Sequence, residues 1–221
     1  MSDEHNNPAS RLWLAVVSLT VFAALAGLAV SYTAQSTRER INTNQLAHAM
    51  RIVAEVLPAD GYSNQPHEDV VMLAAPAWLN SSKPLPAYRA RMNAQPVATA
   101  ITTLAPDGYV GSIRLLVGID AQGRLIGVRA LEHRETPGLG DKIEREKSNW
   151  IAQFEGRQLA ASNWQLQRDG GDFDHISGAT ITSRAVLNAI RRTLELQQDY
   201  GARISGAAAG SELQLEPENA P

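Results

Sequence analysis

Hydroxyl-bearing and small residues are concentrated in residues 174–183, which read Asp-His-Ile-Ser-Gly-Ala-Thr-Ile-Thr-Ser. The small-residue turn ahead of Thr180 leaves room for a bulky group to approach the backbone. The residues that follow have helical spacing, and the free amide groups and positive dipole end of a helix favour an anion. Thr180 could therefore carry a phosphate-linked group, with Thr182 and Ser183 as further hydroxyl donors. Taken alone, however, the segment fits an ordinary helix cap better, because Ser and Thr are preferred there.

A second segment of interest, 131–140, reads Leu-Glu-His-Arg-Glu-Thr-Pro-Gly-Leu-Gly. Its core, 135–140, is a tight turn with two glycines, which would let main-chain amides contact a flat ring without an intervening side chain. The alternative is a plain strand-to-helix connection, in which Pro and Gly only punctuate the chain.

Other chemistry is weakly supported. Asp174, His175 and Ser177 are hydrolase residue types, but close neighbours in one short segment rarely form a catalytic triad, which is defined by spatial geometry. His133 has acidic neighbours, yet successive residues of a strand face opposite ways, which disfavours a metal site. We assign no catalytic residue and no metal ligand.

Composition limits the function classes further. The chain has 221 residues, enough for one medium domain and an accessory segment. Apolar residues make up 44% of the chain, so a sizeable core is expected. A net charge of -3 disfavours nucleic acid as a partner. The chain has no cysteine, which excludes thiolate metal sites, iron–sulfur ligation by this chain and disulfide bonds.

The elements that must position these motifs begin with an uncharged segment over 12–34, after a short flank over 1–11. About 20 apolar residues span a bilayer core of about 30 Å, so we predict a transmembrane helix. Trp13 and Tyr32 could lie at the two interfaces. The alternative is a cleaved signal peptide, but its apolar region would be shorter and a clean Ala-x-Ala site is missing. The flanking charges leave the orientation open.

The clearest strand signal is alternation of apolar residues over 112–133, interrupted by a turn at 120–123, which predicts a hairpin. Asp141 predicts a helix start, with Glu144 as its capping-box partner. Helical spacing over 182–197 predicts the last helix. We expect an α+β fold: one N-terminal transmembrane helix, then a single domain with a twisted antiparallel sheet and flanking helices. The predicted segments after the transmembrane helix are an outer helix or linker over 35–57, the domain over 58–200 and a disordered tail over 201–221.

In this order, behind one apolar segment, these motifs resemble the G subunits of Rnf-type electron-transport complexes, a family whose members bind flavin mononucleotide (FMN). They resemble less closely the C subunit of the sodium-translocating NADH:quinone reductase. Residues 174–180 match the Asp-x-x-Ser-Gly-Ala-Thr signature of these families, and 135–140 match their Glu-Thr-Pro-Gly-Leu-Gly segment. The resemblance covers most of the chain and is specific in combination.

The resemblance implies that FMN is joined through its phosphate to Thr180. It also implies a flavin transferase that installs FMN from FAD and recognises Asp174. The transferase would also read Ser177, Gly178 and Ala179, which we count among the cofactor-binding residues. The resemblance further implicates Glu135, Thr136, Gly138 and Leu139 in contacts with the flavin. Thr182 and Ser183 join the predicted cofactor-binding residues on the strength of their hydroxyls alone.

The function implied is electron transfer in a membrane complex that couples NADH- or ferredoxin-type redox chemistry to ion translocation. The chain would be a redox subunit that is not catalytic alone. It is not expected to bind NADH itself, because it lacks a Gly-x-Gly-x-x-Gly turn opening a helix. Expected partners are other membrane, iron–sulfur and flavin subunits, the flavin transferase and membrane lipid. The expected location is the bacterial inner membrane, single-pass, with the domain on the periplasmic side. The alternatives are the quinone-reductase subunit and a membrane-anchored assembly or binding protein with unmodified Thr180.

Overall fold

The computed structural model describes residues 13, 16–28, 31 and 50–217, which fall into two units separated after Ala49. In the first unit, residues 16–28 are helical and expose large apolar side chains such as Leu19 and Phe22. Among the described residues, no helix has both the length and the apolar character required to cross a membrane. The ends of the predicted transmembrane helix over 12–34, all of the flank over 1–11 and most of the predicted outer helix over 35–57 lie outside the described residues.

The second unit contains one six-stranded sheet with the strand order β5-β4-β3-β2-β1-β6. Strands β1 to β5 pair antiparallel, whereas β6 pairs parallel with β1. The α+β class agrees with the prediction, but the sheet is mixed and not antiparallel throughout. The strands are β1 (Val70–Ala74), β2 (Leu85–Met92), β3 (Gln95–Ala105), β4 (Ile113–Asp120), β5 (Leu125–Glu132) and β6 (Glu212–Gln214).

The predicted hairpin over 112–133 is confirmed as β4 and β5. Its turn is closed by Asp120, whose Oδ1 accepts hydrogen bonds from the amides of Gln122 at 2.9 Å and Arg124 at 2.8 Å. Alternate residues of β4 enter opposite faces of the sheet, as period-2 patterning requires. Leu115 and Val117 enter the main core, while Leu116 faces a smaller core formed with residues 53–57.

Two helices pack on the main core: α1 (Pro76–Leu79) and α2 (Thr180–Gly206). The predicted last helix over 182–197 is therefore correct in type but too short. The predicted disordered tail over 201–221 is wrong for its described residues, because α2 continues through 206, β6 follows, and Leu215 is fully buried. Residues 218–221 lie outside the described part of the chain.

The end of α2 is held by charges that come from β2. Arg89 is buried, and its Nη1 donates to the carbonyl oxygens of Ile204 at 2.9 Å and Ala207 at 2.6 Å. Cations stabilise the carbonyl end of a helix. Asp69 balances this charge by accepting hydrogen bonds from Arg89 and, at 2.6 Å, from Arg91 Nε.

The predicted helix starting at Asp141 is replaced by two 3-10 turns, Gly140–Ile143 and Trp150–Phe154. The capping box is wrong: Asp141 pairs with Lys147, and Glu144 lies at the end of the first turn. Lys147 reaches both carboxylates across this compact turn.

Two glycines that face each other across β4 and β5 lie under residues 50–57. Gly118 pairs with Gly127. A Cβ on Gly118 would lie 1.7 Å from the carbonyl oxygen of Val56, whereas one on Gly127 would lie 3.5 Å from that of Glu55. Close approach of this segment to the sheet therefore requires glycine at the first position only.

We expect Gly118→Ala to lower the free energy of unfolding by about 1–3 kcal/mol, because the added methyl group must displace residues 50–57. Gly127→Ala is the matched control and should change stability much less, since its contact is an ordinary one. Urea unfolding of both variants checks this, and equal losses for the two would contradict the packing described.

Candidate functional site

A buried carboxylate, Glu135, joins three segments that are distant in sequence. Its side chain is among the few buried charged ones, at 4% exposure for the residue. Oε2 accepts a hydrogen bond from Thr182 Oγ1 at 2.5 Å, and Oε1 accepts one from the Val110 amide at 3.1 Å. These contacts, here called the Glu135 junction, tie the 135–140 turn to the first turn of α2 and to the loop before β4.

Gly140 makes room for this carboxylate, because a Cβ there would lie 2.7 Å from Glu135 Oε2. Gly108 is required first by its own loop: a Cβ there would lie 2.2 Å from the Gly111 carbonyl oxygen, and 2.9 Å from Glu135 Oε1. Gly140 therefore serves the junction and is not open to a ligand. Gly138 differs: it has a φ of 78°, is exposed, and a Cβ there would meet no atom within 4 Å. Of the two glycines in this turn, only Gly138 fits the prediction of an open backbone.

Thr180 is the first residue of α2, so its hydroxyl lies in the first turn of the helix and not in the loop before it. Ala179 occupies the N-cap position without a side-chain cap, which removes the ordinary helix-cap interpretation for Thr180. The Thr180 side chain is half-buried, and its Oγ1 accepts a hydrogen bond from Arg168 Nη1 at 3.2 Å.

The two other predicted hydroxyl donors are turned inward. Thr182 is bound to Glu135, as described. Ser183 Oγ donates to the Ala179 carbonyl at 2.9 Å and accepts from the Ile176 amide at 3.0 Å. Both residues are fully buried, so their hydroxyls fix the turn that presents Thr180.

The structure brings the two predicted motifs into contact. Ser177 and Gly178 are exposed, and Gly178 has a φ of 81°. A Cβ on Gly178 would lie 3.1 Å from Leu139 Cδ2, so the leucine covers this glycine closely. Thr136 stabilises the leucine-bearing turn, since its carbonyl oxygen accepts a hydrogen bond from the Leu139 amide at 3.1 Å.

Exposed apolar side chains lie on the segments that the Glu135 junction joins. Within residues 50–217, the large hydrophobic residues that are strongly exposed are Tyr109, Val110, Leu139 and Ile181, at 43–67%. Each belongs to a segment of the Glu135 junction or adjoins Thr180. We call these four residues the apolar rim; exposed apolar surface of this kind is typical of a binding site.

Asp174 has an exposed side chain on a fixed backbone. Its amide donates to Gln153 Oε1 at 2.7 Å, and its carbonyl oxygen accepts from Trp150 Nε1 at 2.8 Å. The backbone of Asp174 is therefore held in place, and its carboxylate is exposed, shortly before the 177–180 turn.

An ionic cluster supports the other side of the junction. The Glu135 amide donates to His133 Nδ1 at 3.2 Å, which leaves Nε2 as the donor to Glu144 Oε1 at 2.9 Å. Lys147 Nζ lies 2.7 Å from Glu144 Oε1 and 3.0 Å from Asp141 Oδ2. Its hydrogen bonds hold the pKa of both carboxyl groups below their usual range, and the same bonds raise the pKa of Lys147. The described residues contain no group of three His, Cys, Asp or Glu residues that could hold a metal ion.

Comparison with known proteins places these motifs in one family. The model of the FMN-binding domain family matches residues 108–195, which include the Glu135 junction and Thr180. The G subunit of the ion-translocating oxidoreductase complex of Shewanella loihica is 40% identical over 201 residues, covering 90% of this chain and 95% of that protein. The protein of the same name from Pseudomonas aeruginosa is 44% identical over 179 residues, covering 80% and 84%.

Among solved structures, the crystal structure of Shewanella oneidensis NqrC superposes with a TM-score of 0.43 and 19% sequence identity, covering 57% of this chain and 63% of that one.

We expect Thr182→Val to cost about 1–3 kcal/mol of stability, because it removes a hydrogen-bond donor to a buried carboxylate. Thr193→Val is a matched control on the same helix: Thr193 is also buried, but its hydroxyl only donates to the Ala189 carbonyl oxygen at 2.8 Å. Thermal and urea unfolding check the difference. Equal losses of stability for the two variants would show that the hydrogen bond from Thr182 to Glu135 contributes no more than an ordinary hydroxyl-to-carbonyl hydrogen bond.

The ionic cluster predicts a pH dependence. Because the folded-state pKa values of Asp141 and Glu144 are lowered, their stabilising contribution is present above the unfolded-state values of about 4 and is lost as the pH falls through the folded-state values. We expect Lys147→Met to flatten the dependence of the urea midpoint on pH below about 5. Lys142→Met, which removes a lysine without an ion pair among the described residues, should leave the slope as in the unaltered protein. An unchanged slope for Lys147→Met would refute this assignment.

Proposed function

The chain belongs to the family of G subunits of ion-translocating oxidoreductase complexes, and on that premise we propose that it carries FMN on Thr180 through a phosphoester. Membership of the family makes it an electron-carrying subunit of such a complex, and the FMN-binding domain names the cofactor. The covalent link, the residues that hold the cofactor and the partners are the proposed parts. The chain is not expected to be catalytic alone.

The observation that carries the proposal is that the apolar rim lies on the segments joined at Glu135, one of which is the helix that begins with Thr180. A nucleotide flavin joins a flat, largely apolar ring to an anionic phosphate, so its site needs both kinds of surface. The exposed side chains of Tyr109, Leu139 and Ile181 offer the apolar surface. The hydroxyl of Thr180 stands at the positive end of α2, where an anion is favoured. The residues present therefore fit the group.

Different residues of the chain would have different roles in holding the cofactor. Thr180 would form the covalent link, and Leu139, with the open backbone of Gly138, would lie against the ring. Glu135, Thr182 and Ser183 would not contact the cofactor with their side chains. These side chains are buried, and they fix the two turns that bear the contacting residues. When bound, FMN supplies one- or two-electron transfer, tuned by nearby charge and hydrogen bonds.

Attachment is a balanced phosphoryl transfer with FAD as the co-substrate of a flavin transferase. Thr180 Oγ1 forms a bond to the FMN phosphorus of FAD, the bond from that phosphorus to the bridging oxygen of the AMP moiety breaks, AMP leaves, and the hydroxyl proton is released. Asp174 and the exposed residues Ser177 and Gly178 lie where a transferase can reach them, which supports their proposed role in recognition.

We place the FMN domain on the periplasmic side of the bacterial inner membrane, anchored by residues 12–34. A freely dissociating cofactor would be lost there, whereas a phosphoester retains it. The partners would be the other membrane, iron–sulfur and flavin subunits of the complex, with membrane lipid around the anchor.

Substitution of Thr180 tests the proposal directly. The protein is produced with a flavin transferase, denatured, and inspected for ultraviolet-excited fluorescence of its band on a gel. We expect Thr180→Val to lose covalent flavin completely and Thr180→Ser, which keeps a hydroxyl, to retain some. Mass mapping of peptide 174–184 from the unaltered protein should show the mass of FMN less one water on Thr180. Flavin that survives denaturation in Thr180→Val, or a bare Thr180 in the mature protein from its native host, would refute the proposal.

A further inference from the structure

Arg168 is a residue at the candidate site that the sequence motifs do not contain. Its guanidinium Nη1 donates to Thr180 Oγ1 at 3.2 Å, across twelve positions of sequence. The side chain of Arg168 is 53% exposed, so it contacts the hydroxyl from the solvent side. Among the described residues, the positively charged side chain that hydrogen-bonds Thr180 Oγ1 is that of Arg168.

The loop that bears Arg168 has a fixed backbone. Residues 163–173, here called the arginine loop, close on themselves: the Gln167 amide donates to the Phe173 carbonyl at 2.7 Å, and Asn163 Nδ2 donates to the Gly170 carbonyl at 3.0 Å. A Cβ on Gly171 would lie 2.0 Å from the Gln165 carbonyl oxygen, so the loop is packed against its own main chain. Phe173 is fully buried and anchors the loop to the core. The position of Arg168 is therefore defined by the fold.

Asp169 is shared by the two arginines nearest Thr180. Asp169 Oδ2 accepts a hydrogen bond from Arg184 Nη2 at 2.7 Å, while Asp169 Oδ1 lies 4.0 Å from Arg168 Nε. Two arginines thus share one carboxylate, and the first turn of α2 contains no acidic residue. Cations beside the start of a helix oppose its dipole and reduce stability. An arrangement that is unfavourable for the protein alone is suited to a site that receives an anion.

We propose that Arg168 binds the phosphoryl group that Thr180 carries; this inference rests on the proposed attachment of FMN to Thr180. A guanidinium that reaches Thr180 Oγ1 also lies next to a phosphorus bonded to that oxygen. During transfer Arg168 stabilises negative charge that develops on the phosphoryl oxygens, and afterwards it pairs with the single negative charge of the phosphodiester. Charge-assisted hydrogen bonds from a planar guanidinium are the strong kind used for phosphate.

The experiment measures how fast covalent flavin is installed. The full chain, purified without flavin, is incubated with a flavin transferase and FAD, and samples are denatured and assayed for in-gel fluorescence. We expect Arg168→Met to load about tenfold to a hundredfold more slowly than the unaltered protein, the loss expected for one hydrogen bond to a charged group. Arg168→Lys, which keeps the charge, should load faster than Arg168→Met. Arg124→Met removes one charge at the β4–β5 turn and should load at the original rate.

A second measurement separates phosphate binding from recognition by the transferase. After prolonged loading, the ³¹P resonance of the phosphodiester is compared between proteins. We expect it to shift in Arg168→Met and to stay in place in Arg124→Met. The role of Arg168 would be overturned by any of three results. These are equal loading rates for all variants, an Arg168→Lys variant as slow as Arg168→Met, and slow loading of Arg168→Met with an unchanged ³¹P resonance. Circular dichroism confirms that the variants are folded. Failure of the unaltered protein to acquire covalent flavin would instead refute the proposed function.

Discussion

The hydrogen bonds of the Glu135 carboxylate are the interaction on which the candidate site depends. A carboxylate that is removed from water must be fully paired, and Glu135 finds its donors in a main-chain amide at position 110 and a hydroxyl on α2. Since these donors come from segments that are far apart in sequence, pairing one side chain sets the relative positions of three surface turns. The glycine at 140 follows from the same requirement, because a side chain there would occupy the space of the carboxylate.

Helix α2 is held at both ends by polar groups from elsewhere in the chain, so its position relative to the rest of the domain is fixed. Thr182 fixes its first turn to Glu135, and Arg89 holds the carbonyl groups of its last turn. Between these ends, residues such as Val186 and Ile190 are buried against the sheet. Thr180 is thus part of a helix that is held at both ends, which restricts the position of its hydroxyl relative to the apolar rim.

Local patterns in the sequence were sufficient for those parts of the fold that depend on local physics. Alternation of apolar residues identified the β4–β5 hairpin, and helical spacing identified α2, because both signals arise within one element. The same approach missed β6, because its few apolar residues are covered only by pairing with the distant strand β1. It extended Asp141 into an α-helix because the capping-box pattern does not show that Glu144 ends the first turn. At the site, the motifs identified the surface residues around Thr180. They did not reveal that Thr182 and Ser183 are buried, nor that Arg168 reaches Thr180, since both depend on how distant loops fold.

The short parallel strand at the end of the chain has a consequence for assembly. The carbonyl oxygens of Val70 and Ala74 and the amide of Met72 are all bonded to residues 210–215, so the outer edge of β1 is covered. β6 itself spans only Glu212–Gln214, which is too short to serve as a template for another strand. At this edge of the domain, neither aggregation through strand pairing nor recruitment of a neighbour by strand addition is available. Association there must proceed through side chains.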